Sequence, residues 1–226
     1  RDPGRAEELY GRAVEEGGEK ERASAMNGLA CLIQSRDPGR AEELYGRAAG
    51  MGSASAMNNL AYLIEGRDPG RAEELYERAA GMGSASAMNN LAVLVEGRDP
   101  GRAEELYERA IGMGNVTAMY NLACLIQSRD PERAEELYGR AVEEGGEKER
   151  AHAMNGLAHL IQSRDPERAE ELYGRAVEEG NDAAMYNLAC LIEGRDPGRA
   201  EELYGRAIEE GGEKARALAM NGLACL

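Results

Sequence analysis

The 226 residues carry 42 acidic and 27 basic side chains, a net charge of −15, and neither phenylalanine nor tryptophan. That balance repels phosphate backbones and supplies no basic stripe, so DNA, RNA and anionic membrane surfaces are not expected as partners. No apolar run approaches the ~18 to 20 residues of a membrane span, and no basic-then-apolar leader stands before the first motif.

Arg-Asp-Pro recurs at Arg1, Arg36, Arg67, Arg98, Arg129, Arg164 and Arg195, at spacings of 35, 31, 31, 31, 35 and 31. Such a period predicts a single solenoid of seven tandem repeats over residues 1–226, each burying its apolar surface only against its neighbours. The chain begins without methionine and stops at Leu226, three residues short of the Ile33 to Ser35 ending of the first repeat, which predicts an excerpt from a longer array. Cys31, Cys124, Cys190 and Cys225 share one place in the repeat, without close paired spacing. They are expected to be reduced thiols, hence an intracellular, cytoplasmic setting.

In the first repeat, Asp2 caps a helix that Pro3 opens, where a missing N–H costs nothing. Ala6, Leu9, Tyr10, Ala13 and Val14 then form one apolar stripe, with Glu8 and Arg12 spaced for an exposed ion pair. Gly17 and Gly18 end this helix. Met26, Leu29, Ala30 and Ile33, with Leu32 beside them, make the stripe of a second helix that stops near Ser35. Two helices this short cannot bury both stripes alone, so stacking is obligatory.

The longer repeats, one, five and seven, carry four extra residues between the two helices, about one helical turn, predicted to prolong the start of the second helix. In the short repeats Ser53, Ser84 and Asp182 are expected as N-caps. Gly11, Gly46, Gly139, Gly174 and Gly205 follow the tyrosine in mid-helix, consistent with either close backbone approach or an exposed, unconstrained position. Pairs such as Glu42 and Glu43 point to different sides of a helix and read as a solvated face.

The run Ala184-Met185-Tyr186-Asn187-Leu188-Ala189 with Ile192, followed by Asp196-Pro197, Ala200, Leu203-Tyr204 and Arg206-Ala207, resembles the tetratricopeptide-repeat superfamily, most of all its Sel-one-like branch. Methionine stands where that family has an aromatic in its first helix, and the usual glycine-rich connection is cut to Glu193-Gly194-Arg195-Asp196. In the family's phase each repeat begins near Ala23, which leaves the helices at both ends, with Leu9 and Leu226, unpaired. The resemblance implies an all-α solenoid of stacked helix-turn-helix repeats forming a right-handed superhelix. Its inner groove would be lined by the methionine helices and would bind a peptide or protein segment.

On that reading the groove residues are Asn27 and Cys31, then Asn58, Asn59 and Tyr62, then Asn89, Asn90 and Val93. Tyr120, Asn121 and Cys124, Asn155 and His159, and Tyr186, Asn187 and Cys190 follow in later repeats. Ser24, Gly28 and Gln34 flank the first set. The repeats differ most here, since Cys31 is replaced in turn by Tyr62, Val93, Cys124, His159 and Cys190. An asparagine amide offers donor and acceptor, suited equally to an extended peptide or to the neighbouring helix.

His152 and His159 with Cys124 and Cys190 suggest a metal site, but equal heights on helices ~8 to 10 Å apart do not converge on one ion. Without a phosphate loop, an inward acidic pair or a placed nucleophile and base, no catalytic site and no cofactor is expected. The leading reading is a non-enzymatic protein-interaction scaffold, with a basic partner favoured by the charge. The alternatives are a structural spacer or head-to-tail filament subunit, self-associating through its terminal helices, and a consensus-designed array without a natural partner.

Overall fold

The computed structural model describes residues 3–224, and among them the only regular elements are α-helices. They group into two compact units that meet between Asn115 and Val116, inside the fourth repeat. The first unit holds α1 (Pro3–Glu16), α2 (Glu19–Ile33), α3 (Pro38–Gly50), α4 (Ala54–Ile64), α5 (Pro69–Gly81), α6 (Ala85–Val95) and α7 (Pro100–Gly112). The second holds α8 (Val116–Ile126), α9 (Pro131–Glu144), α10 (Glu147–Ile161), α11 (Pro166–Glu178), α12 (Asp182–Ile192), α13 (Pro197–Glu210) and α14 (Glu213–Leu223). Each unit is an α-solenoid of stacked hairpins. Within it the even-numbered methionine helices touch one another in a row, and the odd-numbered helices pack into the gaps between them.

Each Arg-Asp-Pro turn starts a helix for a local reason. Asp37 Oδ1 accepts a hydrogen bond from Arg40 N (3.0 Å), and Pro38 occupies the first turn, where no amide partner is required. The same cap recurs at Asp68, Asp99, Asp130, Asp165 and Asp196; Asp2 lies outside the described residues. Ser53 and Ser84 cap α4 and α6 as expected. In α12 the cap is Asn181, whose Oδ1 accepts from Ala184 N (3.1 Å), and Asp182 is the first helical residue. Asp182 instead accepts a hydrogen bond from Gly212 N (2.9 Å), which ties α12 to the start of α14.

The stripes read from the sequence form the core: Ala41, Leu44, Tyr45 and Ala48 on α3 and Met57, Leu60, Ala61 and Ile64 on α4 are all buried. In α1 the matching Leu9 and Tyr10 are 55% and 38% exposed, because among the described residues no methionine helix lies on their outer side. The charged pair on α1 is Arg12 with Glu16 (3.5 Å) rather than Glu8 with Arg12. The four-residue insertion gives α2 and α10 fifteen residues, against eleven in α4, α6, α8 and α12. It also changes the connection. Short repeats turn on a left-handed glycine, Gly52 at φ 84°, whereas the long ones pass through an extended Gly18 or Gly146.

The paired glutamates are not simply a solvated face. In five of the pairs the first glutamate accepts an ion pair from the next repeat: Arg36 on Glu7, Arg67 on Glu42, Arg98 on Glu73, Arg164 on Glu135 and Arg195 on Glu170. Arg102, on α7, also reaches Glu73 (3.1 Å) and Glu77 (2.5 Å) on α5. The motif's charges therefore cancel between repeats as well as within them, and they bridge odd-numbered helices that lack a shared apolar seam. Arg98 and Arg102 together hold the Glu73 carboxyl below the usual carboxylate range, against the opposing effect of its burial.

Glu73 thus favours the folded state above the ordinary carboxylate range, and that contribution is lost as pH falls through its lowered pKa. Glu73→Gln is expected to remove part of the acid sensitivity seen when unfolding midpoints are compared at pH 6 and pH 3; an unaltered pH profile would contradict the assignment. Two glycines of repeat five should respond in opposite senses to alanine. Gly139 has open space around its missing Cβ, so Gly139→Ala should stabilise by about 0.5–1 kcal/mol. At Gly156 a Cβ would lie 2.7 Å from Tyr138 Cε1, so Gly156→Ala should destabilise by about 1–3 kcal/mol. Urea titration followed by circular dichroism measures both.

Candidate functional site

Every tyrosine of the framework motif from Tyr45 to Tyr204 is buried, and its hydroxyl needs a partner. It finds one at the end of the preceding methionine helix. Tyr76 donates to Glu65 (2.9 Å), Tyr107 to Glu96 (2.8 Å), Tyr173 to Gln162 (3.3 Å) and Tyr204 to Glu193 (2.7 Å). Tyr45 lies within reach of Gln34 Oε1 (3.0 Å) and Cys31 Sγ (3.2 Å), and Cys124 and Cys190 stand equally close to Tyr138 and Tyr204. Burial, the largest effect, raises the phenol pKa of Tyr45, Tyr76, Tyr138, Tyr173 and Tyr204, so these groups stay neutral. Cys31, Cys124 and Cys190 are free thiols; Cys225 lies outside the described residues.

The asparagines of the first unit bond to one another. Asn89 Nδ2 donates to Asn90, Asn90 to Asn58, Asn58 to Asn59 and Asn59 to Asn27, at 3.0–3.2 Å, so one relay of amides crosses α6, α4 and α2. Asn89 is buried, and Tyr62 and Val93, one turn further along, are 67% and 48% exposed. Gly28, placed in the groove by the sequence reading, faces the Tyr10 ring instead; Gly156 and Gly222 meet Tyr138 and Tyr204 in the same way. Glycine at this position occurs in the three long repeats, and asparagine in the four short ones.

The second unit breaks the relay. Tyr120 and Tyr186 replace the first asparagine, and Asn187 donates to Asn155 at 2.9 Å. Tyr120 packs on Tyr138 (5.8 Å between ring centres) and edge-on against His152 (6.1 Å), and Tyr186 packs on Tyr204 (5.9 Å). Burial, followed by the nearby Cys124 thiol, pushes the Tyr120 hydroxyl up to about 12.

Clefts open on the methionine-helix rows of both units. In the first unit a cleft of about 520 Å³ lies between the added turn of α2 and the start of α4, with Lys20, Asn27 and Ser55 on its walls. In the second unit one of about 250 Å³ holds Tyr120, Asn121, Lys148 and His152. The next, about 290 Å³, joins Tyr120, His152 and Asn155 to Gly180, Asn181, Asp182 and Ala183. The last, about 550 Å³, runs from His159, Asp182 and Ala183 past Tyr186 and Asn187 to Lys214 and Leu218. Shared residues make these three one trough along α8, α10, α12 and α14.

Of the sequence-predicted groove residues, Asn27, Tyr120, Asn121, Asn155, His159, Tyr186 and Asn187 line clefts. The other nine do not line these clefts: Asn58, Asn59, Asn89 and Asn90 lie in the amide relay, Cys31, Cys124 and Cys190 beside the tyrosine hydroxyls, and Tyr62 and Val93 at the exposed surface. Lys148, His152 and Asp182 were not foreseen as lining. For the lysine the signal was in the insertion itself: the chain's three lysines, Lys20, Lys148 and Lys214, all sit in the added turns and each borders a cleft. Among the described residues no three His, Cys, Asp or Glu side chains gather to hold a metal.

Family models match most of the chain: a tetratricopeptide repeat model at residues 62–111 and 125–184, and a Sel1 repeat model at 1–18, 23–53 and 182–212. The chain is a tetratricopeptide/Sel1-like repeat protein. No curated protein matches it in sequence. Its fold is that of a Sel1 repeat protein from Oxalobacter formigenes, at 20% identity and TM-score 0.72, over 90% of this chain and 99% of that one. It is also similar to c5321, a protective antigen of uropathogenic Escherichia coli with an SLR fold, at 20% identity and TM-score 0.69. That match covers 99% of this chain but only 56% of the antigen. Pseudomonas aeruginosa pilF matches at 18% identity and TM-score 0.71, over 91% and 99% of the two chains. Proteins of these repeat families generally mediate protein–protein interaction and are generally not catalysts. No helix among the described residues is long and apolar enough to cross a membrane.

The relay makes the first unit's asparagines structural in the first instance. Asn90→Ala removes the acceptor of Asn89 and the donor to Asn58, so it is expected to lower stability by about 1–3 kcal/mol in urea unfolding. A change within a few tenths of a kcal/mol would mean that water replaces both bonds.

Proposed function

We propose that this protein is a non-enzymatic scaffold that binds a peptide or protein segment along the face of its methionine-helix rows. The observation that carries the reading is that the clefts lie on these rows, where the repeats also differ most, while the odd-numbered helices spend their charges on one another. A peptide laid along the trough would meet ring faces at Tyr120 and Tyr186, polar tips at Asn155 and Asn187, and an apolar wall at Ala183 and Leu218. A few polar groups in a mostly apolar concavity orient a ligand.

Ala183 lines two of the clefts and is itself exposed, so Ala183→Trp fills them without entering the core. Decapeptides selected on the wild-type chain from a random library are expected to bind this variant at least tenfold more weakly. Glu171→Trp, on the exposed side of α11, should leave binding unchanged. Equal affinity for all three proteins would place recognition elsewhere.

A further inference from the structure

The two units do not present the same chemistry on their methionine-helix rows, and the difference centres on Asp182. It is the first residue of α12, a place held by Ala54, Ala85 and Val116 in the other short repeats. Its carboxylate lies on the wall shared by two clefts, with Tyr120 and His152 on one side and Tyr186 on the other. One oxygen accepts from Gly212 N (2.9 Å), which fixes the side chain and leaves the other oxygen for a ligand. In the cleft of about 290 Å³ it is the only carboxylate, and no lysine or arginine lines that space.

We infer that the Asp182 clefts receive an arginine side chain of the bound segment. The inference rests on the proposed function above and names the residue class that site selects. A guanidinium is planar: it stacks on a tyrosine face within about 6 Å of the ring centre while its edge donates to a carboxylate. Tyr120 is held for this by its packing on Tyr138 and His152, and Tyr186 by its packing on Tyr204. Charge complementarity points the same way. The chain's net charge of −15 draws a cationic segment in, and the trough's own charged lining, Glu149, Asp182 and Glu213 against Lys148 and Lys214, sums to −1. The first unit offers no counterpart, because its asparagines occupy the tyrosine positions and are tied into the amide relay. Recognition of the arginine therefore belongs to the second unit, and the first stiffens the array.

The test is selection from a random decapeptide display library on the full chain and on Asp182→Asn and Tyr120→Leu, each checked for helicity by circular dichroism. Peptides retained by the wild type are expected to be enriched in arginine at least tenfold over the input library, with both variants losing most of that enrichment. Tyr120→Leu keeps the test decisive should Asp182→Asn fail to fold through loss of the Gly212 contact. Binders without arginine enrichment, or enrichment that survives both variants, would overturn the inference and leave the peptide-binding reading standing. The absence of any selected binder would remove both.

Discussion

The interaction on which the structure depends is the buried phenol. Each of the tyrosines from Tyr45 to Tyr204 is buried, and burying a hydroxyl without a partner costs several times what a satisfied one gains. The partner sits in the last turn or at the end of the preceding helix, at Gln34, Glu65, Glu96, Cys124, Gln162 or Glu193. One bond therefore sets how far each odd-numbered helix slides into the stack, and with it the phase between consecutive repeats. Around it, capped Asp-Pro turns fix where helices start, and Arg–Glu pairs tie the outer helices together.

Because the odd-numbered helices are so fully used by this framework, variation is tolerated on the even-numbered row, and the insertions act there. Four added residues leave the buried face of α2 and α10 in phase but raise a charged turn above the neighbouring short helix. A cleft forms at each such step. The insertion also goes with a change in the core: in long repeats the tyrosine ring lies against Gly28, Gly156 or Gly222, whereas in short repeats Asn59, Asn90 and Asn187 stand there and donate back to the preceding methionine helix. Repeat length, glycine and cleft thus form one structural choice made three times. The result is two units with different surfaces: an amide-tied row in the first and an aromatic trough in the second.

What the sequence by itself determined was the helical hairpin, its caps and its core. Period, Asp-Pro starts and 3.6-residue stripes are local signals, and Ala41, Leu44, Tyr45, Met57, Leu60 and Ile64 are buried where those signals put them. What only the tertiary structure decided was the partner of each polar group, since that depends on which residues of different repeats come to equal height. Periodicity cannot tell an asparagine that meets solvent from one that meets the asparagine 32 residues before it, as Asn59 meets Asn27 and Asn90 meets Asn58. Nor does it show that Glu73 faces Arg98 and Arg102, or that Asp182 reaches Gly212 N instead of capping its own helix. Those pairings depend on stacking geometry rather than on chain order. The clefts depend on it too, because their walls come from helices of different repeats, as Tyr120, His152 and Asp182 do.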